Sequence, residues 1–303
     1  MVREIPVLSW FDKSTVKHLR LTFSFFLLPV FLFALSQSHQ IHVPSTVLGF
    51  LILHLFLFPS TNGYNSYQDR DESSIGGLKH PPRVTENLFY ATILLDAAAL
   101  ITGLLISLSF SLMIFVFITM SRLYSYRGIR LKKYPVIAFI VVFIFQGGFV
   151  YLMSLESMNP GNLTDFFTPG HVLCMIISSL FIGSMYPLTQ IYQHKADKDD
   201  GVISISYRLG YKGTFIFSGV LFSIAVLLLS VYLIVKSQPV YLLFFLLFIL
   251  PVAIRLSRWF SLVKKDHSHA DFDNTMAVNW LSSICMNLYF ALVATGNLIS
   301  VYK

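Results

Sequence analysis

Residues 88–121 read LFYATILLDAAALITGLLISLSFSLMIFVFITMS, an apolar run whose single charge is Asp96. Its roughly 34 residues would form a helix of about 50 Å, against a bilayer hydrocarbon core of about 30 Å. That is enough for two crossings and too long for one. Ser107-Leu-Ser109-Phe-Ser111 supplies the polar reversal between them. Comparable runs recur along the whole chain, so the reading of this stretch extends to all of it.

Composition agrees. Of 303 residues, 55% are hydrophobic and only 12% charged, with a mean hydropathy of +0.68. Soluble domains carry about 25% charged residues. No stretch is long and polar enough to make a separate soluble domain. The chain therefore reads as one all-α integral membrane domain over 1–303. Nine transmembrane helices are predicted near 20–37, 43–61, 86–105, 106–124, 134–155, 169–192, 212–235, 238–258 and 275–300.

Basic residues orient such a bundle, because loops rich in Lys and Arg stay cytoplasmic. With the N-terminus cytoplasmic and the C-terminus outside, 20 of the 22 Lys and Arg fall on the cytoplasmic side, leaving only Lys236 and Lys303 outside. A missed or extra helix would scramble that separation. The net charge of +7 is thereby explained by orientation and by anionic head groups or phosphates, and requires no nucleic-acid partner.

Other signals are weak. The first twenty residues hold Glu4 and Asp12 beside the basic residues, with no small-residue cleavage site, so no cleaved signal peptide is expected. Cys174 and Cys285 both fall inside predicted helices, without partners at metal-ligand spacing. Asn162-Leu-Thr164 fits a glycosylation sequon on the outer side, a motif that recurs often by chance.

The chemistry concentrates in two acidic clusters, Asn65-Ser-Tyr-Gln-Asp69-Arg-Asp71-Glu72 and Gln193-His-Lys-Ala-Asp197-Lys-Asp199-Asp200. Each follows an apolar run, and the predicted topology puts both on the cytoplasmic side. Carboxylates at a bilayer are costly unless compensated. Two same-sided clusters suit Mg²⁺, a hard cation that takes oxygen ligands and shares them with substrate phosphates. Arg130-Leu-Lys132-Lys133, Lys79 and Lys198 can neutralise a diphosphate. A bundle with 29 Phe and 15 Tyr suits an apolar tail, although aromatic residues also face lipid. Together these describe a polyprenyl diphosphate site in which Mg²⁺ draws charge off the leaving group and an electron-rich acceptor captures the allylic cation.

On these residues the chain resembles the UbiA-type intramembrane prenyltransferases, nine-helix enzymes with two Asp-rich cytoplasmic loops. Their first motif reads Asn-Asp-x-x-Asp-x-x-x-Asp, often Asn-Asp-Tyr-x-Asp-Arg-Asp-x-Asp. Asn65, Tyr67, Asp69, Arg70 and Asp71 fit the written-out form, while Ser66 and Ser73 replace two acids and Glu72 adds one nearby. Their second motif reads Asp-x-x-x-Asp-x-x-x-Gly-x-x-Thr/Ser, leading to Leu-Gly. Asp197, Gly201, Ser204 and Leu209-Gly210 match, but Gln193 stands at the first Asp. Arg20-Leu-Thr-Phe23 followed by Pro29 is similar to the family's first-helix opening, and Tyr124-Ser125 ahead of Leu131-Lys132-Lys133 to the stretch after its fourth helix. The likeness spans about 20–215.

The resemblance implies a Mg²⁺-dependent transfer of a polyprenyl group to a lipophilic, aromatic or quinone-precursor acceptor, with a bacterial inner membrane as the simplest host. Asn65, Asp69, Asp71, Gln193 and Asp197 are the implied metal ligands, with Asp69, Asp71 and Asp197 the catalytic acids. Arg20, Lys79, Lys132, Lys133 and Lys198 are the implied diphosphate grips. Loss of acid at Ser66, Ser73 and Gln193 removes charge from the metal site, with Glu72, Asp199 and Asp200 available as substitutes.

Asp96, mid-helix, is either an acceptor or proton site or a protonated acid hydrogen-bonded to a neighbouring helix. His54 and His171 read as packing residues, and Asn274, Asn279 and Asn287 as polar glue or acceptor contacts. A secondary transporter and a non-catalytic relative acting as a partner protein are the competing readings. Against the transporter stand the absence of an internal repeat and the concentration of charge in two loops.

Overall fold

A computed structural model describes residues 10–38, 40–70, 73–161 and 163–301. Arg3, Glu4, Asp71, Glu72, Asn162 and Lys303 lie outside the described residues. The long helical segments are α1 (Lys13–Gln37), α2 (Val43–Asp69), α3 (Glu86–Gly103), α4 (Leu108–Ser125), α5 (Pro135–Met158), α6 (Pro169–Thr189), α7 (Ile205–Val235), α8 (Pro239–Lys265) and α9 (Phe272–Val301). All but α3 are long and apolar enough to cross a membrane, which makes eight candidate spans among the described residues. α3 is a full helix at the predicted place, but Glu86, Asn87 and Asp96 keep it out of the apolar set. The chain is an integral, multi-pass membrane protein.

Local chemistry sets the boundaries. The Ser107 side chain accepts from the Phe110 N–H (2.9 Å) and caps α4, so the chain reverses at the leading edge of the Ser-rich stretch. Thr168 caps α6 and Pro169 occupies its first turn, where a missing N–H costs nothing. α7 is kinked at Gly210 (φ 67°, ψ 175°), leaving its long straight part to start next to the predicted residue 212. α1 is interrupted at Arg20, which adopts the left-handed conformation (φ 48°).

α2 and α5 each contain a wide π-helical turn, at Ile52–Leu57 and Phe143–Phe149. Such a turn takes backbone groups out of the regular ladder. A serine on a neighbouring helix answers each one: Ser24 Oγ donates to the His54 carbonyl (3.0 Å), and the Gly148 N–H donates to Ser179 Oγ (2.9 Å). The second contact is possible because α5 and α6 nearly touch; a Cβ at Gly147 would stand 2.3 Å from Ser179 Cα.

Helices adjacent in sequence pack together, and α9 closes back against α1. The result is a ring of helices. Its core is aromatic, with Phe33, Phe58, Phe110, Tyr151, Phe245 and Tyr289 fully buried, while Leu105, Val235 and Leu243 face outward.

Asp96 is paired with a basic side chain of the next helix. Arg122 of α4 meets its carboxylate through Nη2 and, at 3.1 Å, through Nε; Ser60 Oγ of α2 donates from 2.5 Å. Arg122 also lies over the Tyr64 ring (3.7 Å). The pair joins α2, α3 and α4 and opens on a lateral groove lined by Phe89, Ile93 and Phe115.

Candidate functional site

The ring encloses a cavity of about 320 Å³. Both motifs reach its mouth. On the last turn of α2, Asn65 and Asp69 are four residues apart and share a face. Asn65 Nδ2 donates to Asp69 Oδ2 (3.1 Å) and to Ser125 Oγ of α4 (3.2 Å). α2 then stops at Arg70, whose left-handed conformation (φ 53°) turns the chain away. Ser66 is buried off the cavity, its hydroxyl without a hydrogen-bond partner, whereas Ser73 lines the wall.

Opposite stands the loop after α6. Gln193 Nε2 donates to the Ser74 carbonyl (3.2 Å), tying the two motif loops together. Asp197 projects from the short helix His194–Asp199, whose return is fixed by the Val202 N–H donating to the Asp197 carbonyl (2.8 Å). Gln193, Asp197 and Asp200 all line the mouth. Asp199 is exposed and turned out.

The charges are already compensated. Lys132 Nζ contacts Asp69 Oδ2. Arg130 contacts Asp200 Oδ2, donates to the Asp200 carbonyl (3.0 Å), and lies 3.5 Å from Asp69 Oδ1. Arg127 donates to the Gln68 carbonyl (2.6 Å) and reaches Asp200 at 3.3 Å. Arg20 lines the same mouth and donates to the carbonyls of Asn62 (2.9 Å) and Gly76 (3.2 Å). Asp69 is deeply sunk, its side chain 6% exposed, and its Oδ1 accepts no hydrogen bond.

Below the charged rim the hydroxyls of Tyr124 and Tyr186 meet at 2.7 Å. Beyond them the walls are Phe-rich, softened by Gln146, Ser178 and Asn279. Phe33 and Phe290, the lining residues farthest along α1 and α9, stack at 4.6 Å and form the floor. Asn279 and Phe290 are eleven residues apart on α9, so the chamber runs about 16 Å down the bundle.

Of the sequence-predicted residues, Arg20, Asn65, Asp69, Lys132, Gln193 and Asp197 converge here. Four do not. Lys79 is exposed and paired with Asp273 (2.5 Å) at the start of α9. Lys133 lies over the Tyr134 ring (5.0 Å), one residue out of phase with Lys132. Lys198 is exposed on the short helix, and Asp96 is held by Arg122 outside the chamber. Asp71 lies outside the described residues. His54 is enclosed by Phe31, Phe50 and Phe58, and His171 bonds Tyr151 (3.1 Å). Among the last-helix asparagines only Asn279 reaches the cavity; Asn274 binds Arg255 (2.9 Å) and Asn287 faces the Phe25 carbonyl (3.4 Å).

Tyr186, Gln146 and Ser178 were not legible as site residues, although Gln146 is a lone amide inside an otherwise apolar run. Behind the rim, burial pushes the His194 imidazole down to about 4 as it stacks on Tyr211 (ring centroids 5.0 Å).

The fold and site thus define a class: a ring of membrane helices around an apolar chamber with an acidic and basic mouth at one end. A family model described as the UbiA prenyltransferase family matches residues 24–284, and the chain belongs to that family. No curated protein sequence matches it. Solved structures of similar fold include a UbiA homolog from Aeropyrum pernix K1 (TM-score 0.68, 14% identity, 94% of this chain and 99% of that one). Another, from Archaeoglobus fulgidus, is bound to GPP and Mg²⁺ (TM-score 0.64, 17% identity, 93% and 99%). A third is described as a digeranylgeranylglyceryl phosphate synthase (TM-score 0.59, 19% identity, 94% and 98%).

Proposed function

We propose that this chain transfers a polyprenyl group from its diphosphate to a lipophilic acceptor, aromatic or quinone-precursor in type, with Mg²⁺ at the mouth of the chamber. The reading extends to nine spans in one domain over 1–303, N-terminus cytoplasmic and C-terminus outside, in a bacterial inner membrane. One observation carries the chemistry: Asp69 and Asp197, from distant parts of the chain, line the same charged mouth above a Phe-walled chamber.

The donor set fits the metal. Mg²⁺ is commonly held by one or two carboxylates together with substrate phosphates and water, and no group of three or more acidic, His or Cys ligands occurs among the described residues. Asp69 Oδ1, buried without a hydrogen bond, is available as a ligand, and Asp197, Asn65 and Gln193 line the same mouth with further oxygen donors. When bound, Mg²⁺ supplies charge neutralisation of the departing diphosphate.

Lys132, Arg130 and Arg20 grip that anion, so the C–O bond breaks with its electron pair leaving on the diphosphate. The Phe chamber excludes water from the allylic cation until acceptor electrons form the new bond and the acceptor loses a proton. The mouth holds charge and the chamber holds chain.

The test is diphosphate release by purified protein in lipid nanodiscs, with prenyl diphosphates of several lengths, an acceptor panel, and Mg²⁺ or EDTA. Release that needs Mg²⁺ and disappears in Asp69→Ala and Asp197→Ala is expected. Release that survives both substitutions together ends the metal reading, and absence of both release and prenyl diphosphate binding ends the prenyltransferase reading.

A further inference from the structure

We propose, resting on the prenyltransferase reading, that Gln146, Ser178, Asn279 and Ser283 form an uncharged hydrogen-bonding layer inside the chamber. This layer selects an acceptor whose ring carries hydroxyl groups and no ionised group. All four side chains line the cavity. Gln146 stands eleven residues from Pro135 at the start of α5, Ser178 eleven from Thr189 at the end of α6, and Ser283 eleven from Phe272 at the start of α9. Those three helix ends are all at the mouth, so at 1.5 Å per residue the side chains share one level, about 16 Å below it. Asn279 is one turn nearer the mouth, about 6 Å from Ser283 along the same helix.

The backbone builds this layer. α5 and α6 make their closest approach at Gly147 and Ser179, and Gln146 and Ser178 are the chain neighbours of those two residues, so both belong to one stretch of wall. Gln146 also lies in the wide turn Phe143–Phe149, a departure from regular helix that is frequent at functional sites. α6 packs in turn against α9, which carries Asn279 and Ser283. Ser178 is 2% exposed and its Oγ has no hydrogen-bond partner. Buried polar groups in folded proteins are paired, so an unpaired hydroxyl in a cavity wall points to a ligand atom.

Charge decides what that ligand is. Among the described residues the cations lining the cavity are Arg20 and Lys132, both at the mouth where the diphosphate is gripped. The acids lining it, Asp69, Asp197 and Asp200, stand at the mouth as well. A carboxylate or phosphate carried down to the layer would shed its water and meet no counter-charge, the most costly kind of burial. Amides and hydroxyls both donate and accept, which matches the hydroxyls of a neutral phenol or hydroquinone. The turn between Asn279 and Ser283 is long enough to serve two oxygens on opposite sides of one ring.

The chamber is two-sided at this depth. On α2 the residue eleven positions from Asp69 is Phe58, which packs on Phe117 of α4 (ring centroids 6.0 Å), and both rings line the cavity. The prenyl tail takes that aromatic wall, and the acceptor ring takes the wall of amides and hydroxyls. Gln146 and Ser178 thus determine which acceptor enters, while the residues of the mouth hold the donor.

The experiment compares three acceptors built on one ring: a methylated hydroquinone, the same ring bearing a carboxylate, and the same ring bearing a phosphate ester. Binding and product formation are measured on the full-length protein in nanodiscs with Mg²⁺ and saturating prenyl diphosphate. The wild type is expected to favour the uncharged ring by about tenfold or more in kcat/KM, as sites built on hydrogen bonds discriminate strongly. Gln146→Leu and Ser178→Ala should each raise the acceptor KM about tenfold with the prenyl diphosphate Kd unchanged, a split that a general loss of packing does not give. Gln146→Lys sets a cation in the layer and should bring the carboxylated ring level with the uncharged one. The wild-type comparison needs no variant, so it decides the inference even if the variants fail to fold. A wild type that binds prenyl diphosphate but takes a charged ring as well as or better than the uncharged one, or takes none of the three, overturns this inference and leaves donor binding standing. An unchanged acceptor KM in both Gln146→Leu and Ser178→Ala overturns it too. A wild type that neither binds prenyl diphosphate nor releases diphosphate ends the prenyltransferase reading along with it.

Discussion

Removing Asp96 should unfold the protein before it affects chemistry. The Asp96 and Arg122 side chains are 11% and 19% exposed, and their contact joins α3 to α4 while Ser60 brings in α2. Asp96→Ala leaves a guanidinium buried with only the Tyr64 ring and Thr92 for company. Breaking a buried pair by deleting one partner costs about 3–5 kcal/mol, whereas replacing both partners by apolar residues is often neutral or stabilising by about 1–4 kcal/mol. Each single variant, Asp96→Ala and Arg122→Met, should therefore lose about 3–5 kcal/mol, with Arg122→Met also losing about 0.5–2 kcal/mol of cation–π attraction to Tyr64. The double variant Asp96→Ala/Arg122→Met should recover most of either loss. Reversible unfolding in mixed detergent and SDS micelles measures all four corners of the cycle. Prenyl diphosphate binding, measured on the folded fraction, should stay at the wild-type level. Additive losses in the double variant would refute the ion-pair account. So would an Asp96→Ala protein of full stability that had lost turnover, since that result would make Asp96 an acceptor or proton site.

Three further outcomes follow from the geometry. Gly147→Ala pushes a methyl group against Ser179 Cα and should cost about 1–3 kcal/mol, seen as earlier labelling of buried Cys174 and Cys285 by a thiol-reactive dye on heating. Phe290→Ala opens the chamber floor, so the longest donor accepted in a series from geranyl to geranylfarnesyl diphosphate should lengthen; an unchanged limit would move the floor elsewhere. His194 has its folded-state pKa depressed from 6.5 to about 4, so its contribution is present above pH 6.5 and lost as pH falls toward 4, where the unfolded chain gains a proton first. A melting profile between those pH values should flatten in His194→Gln, and an identical acid slope in the variant would contradict this assignment.

Helix positions were legible because a bilayer sets a minimum apolar length for a crossing. The split at Ser107 and the late start of the straight part of α7 both came from that constraint and from residues that refuse helix geometry. Partners distant in sequence were not legible. Arg122 was counted as a cytoplasmic charge, since nothing local indicates that it folds back onto Asp96, a residue on the preceding helix. The basic candidates diverge in position for a related reason. Lys132 and Lys133 are adjacent, and only the local turn decides which of them faces Asp69; Lys79 has the right charge but its loop delivers it to Asp273. Asn65, Asp69, Gln193 and Asp197 line one cavity, and their grouping was legible because each pair lies four residues apart, close to the end of an apolar run.

The wide turns in α2 and α5 have an evolutionary reading. Each turn holds one residue more than a regular helix needs, so a related chain of the same architecture can lose that residue without displacing either end of the segment. The deletion would return the His54 carbonyl or the Gly148 N–H to the helix ladder, and the hydroxyl of Ser24 or Ser179 would then have no duty to perform. Gaps of one position at these two places in relatives, each accompanied by loss of its serine to an apolar residue, would be the genetic trace of a turn gained by insertion and kept by its neighbour.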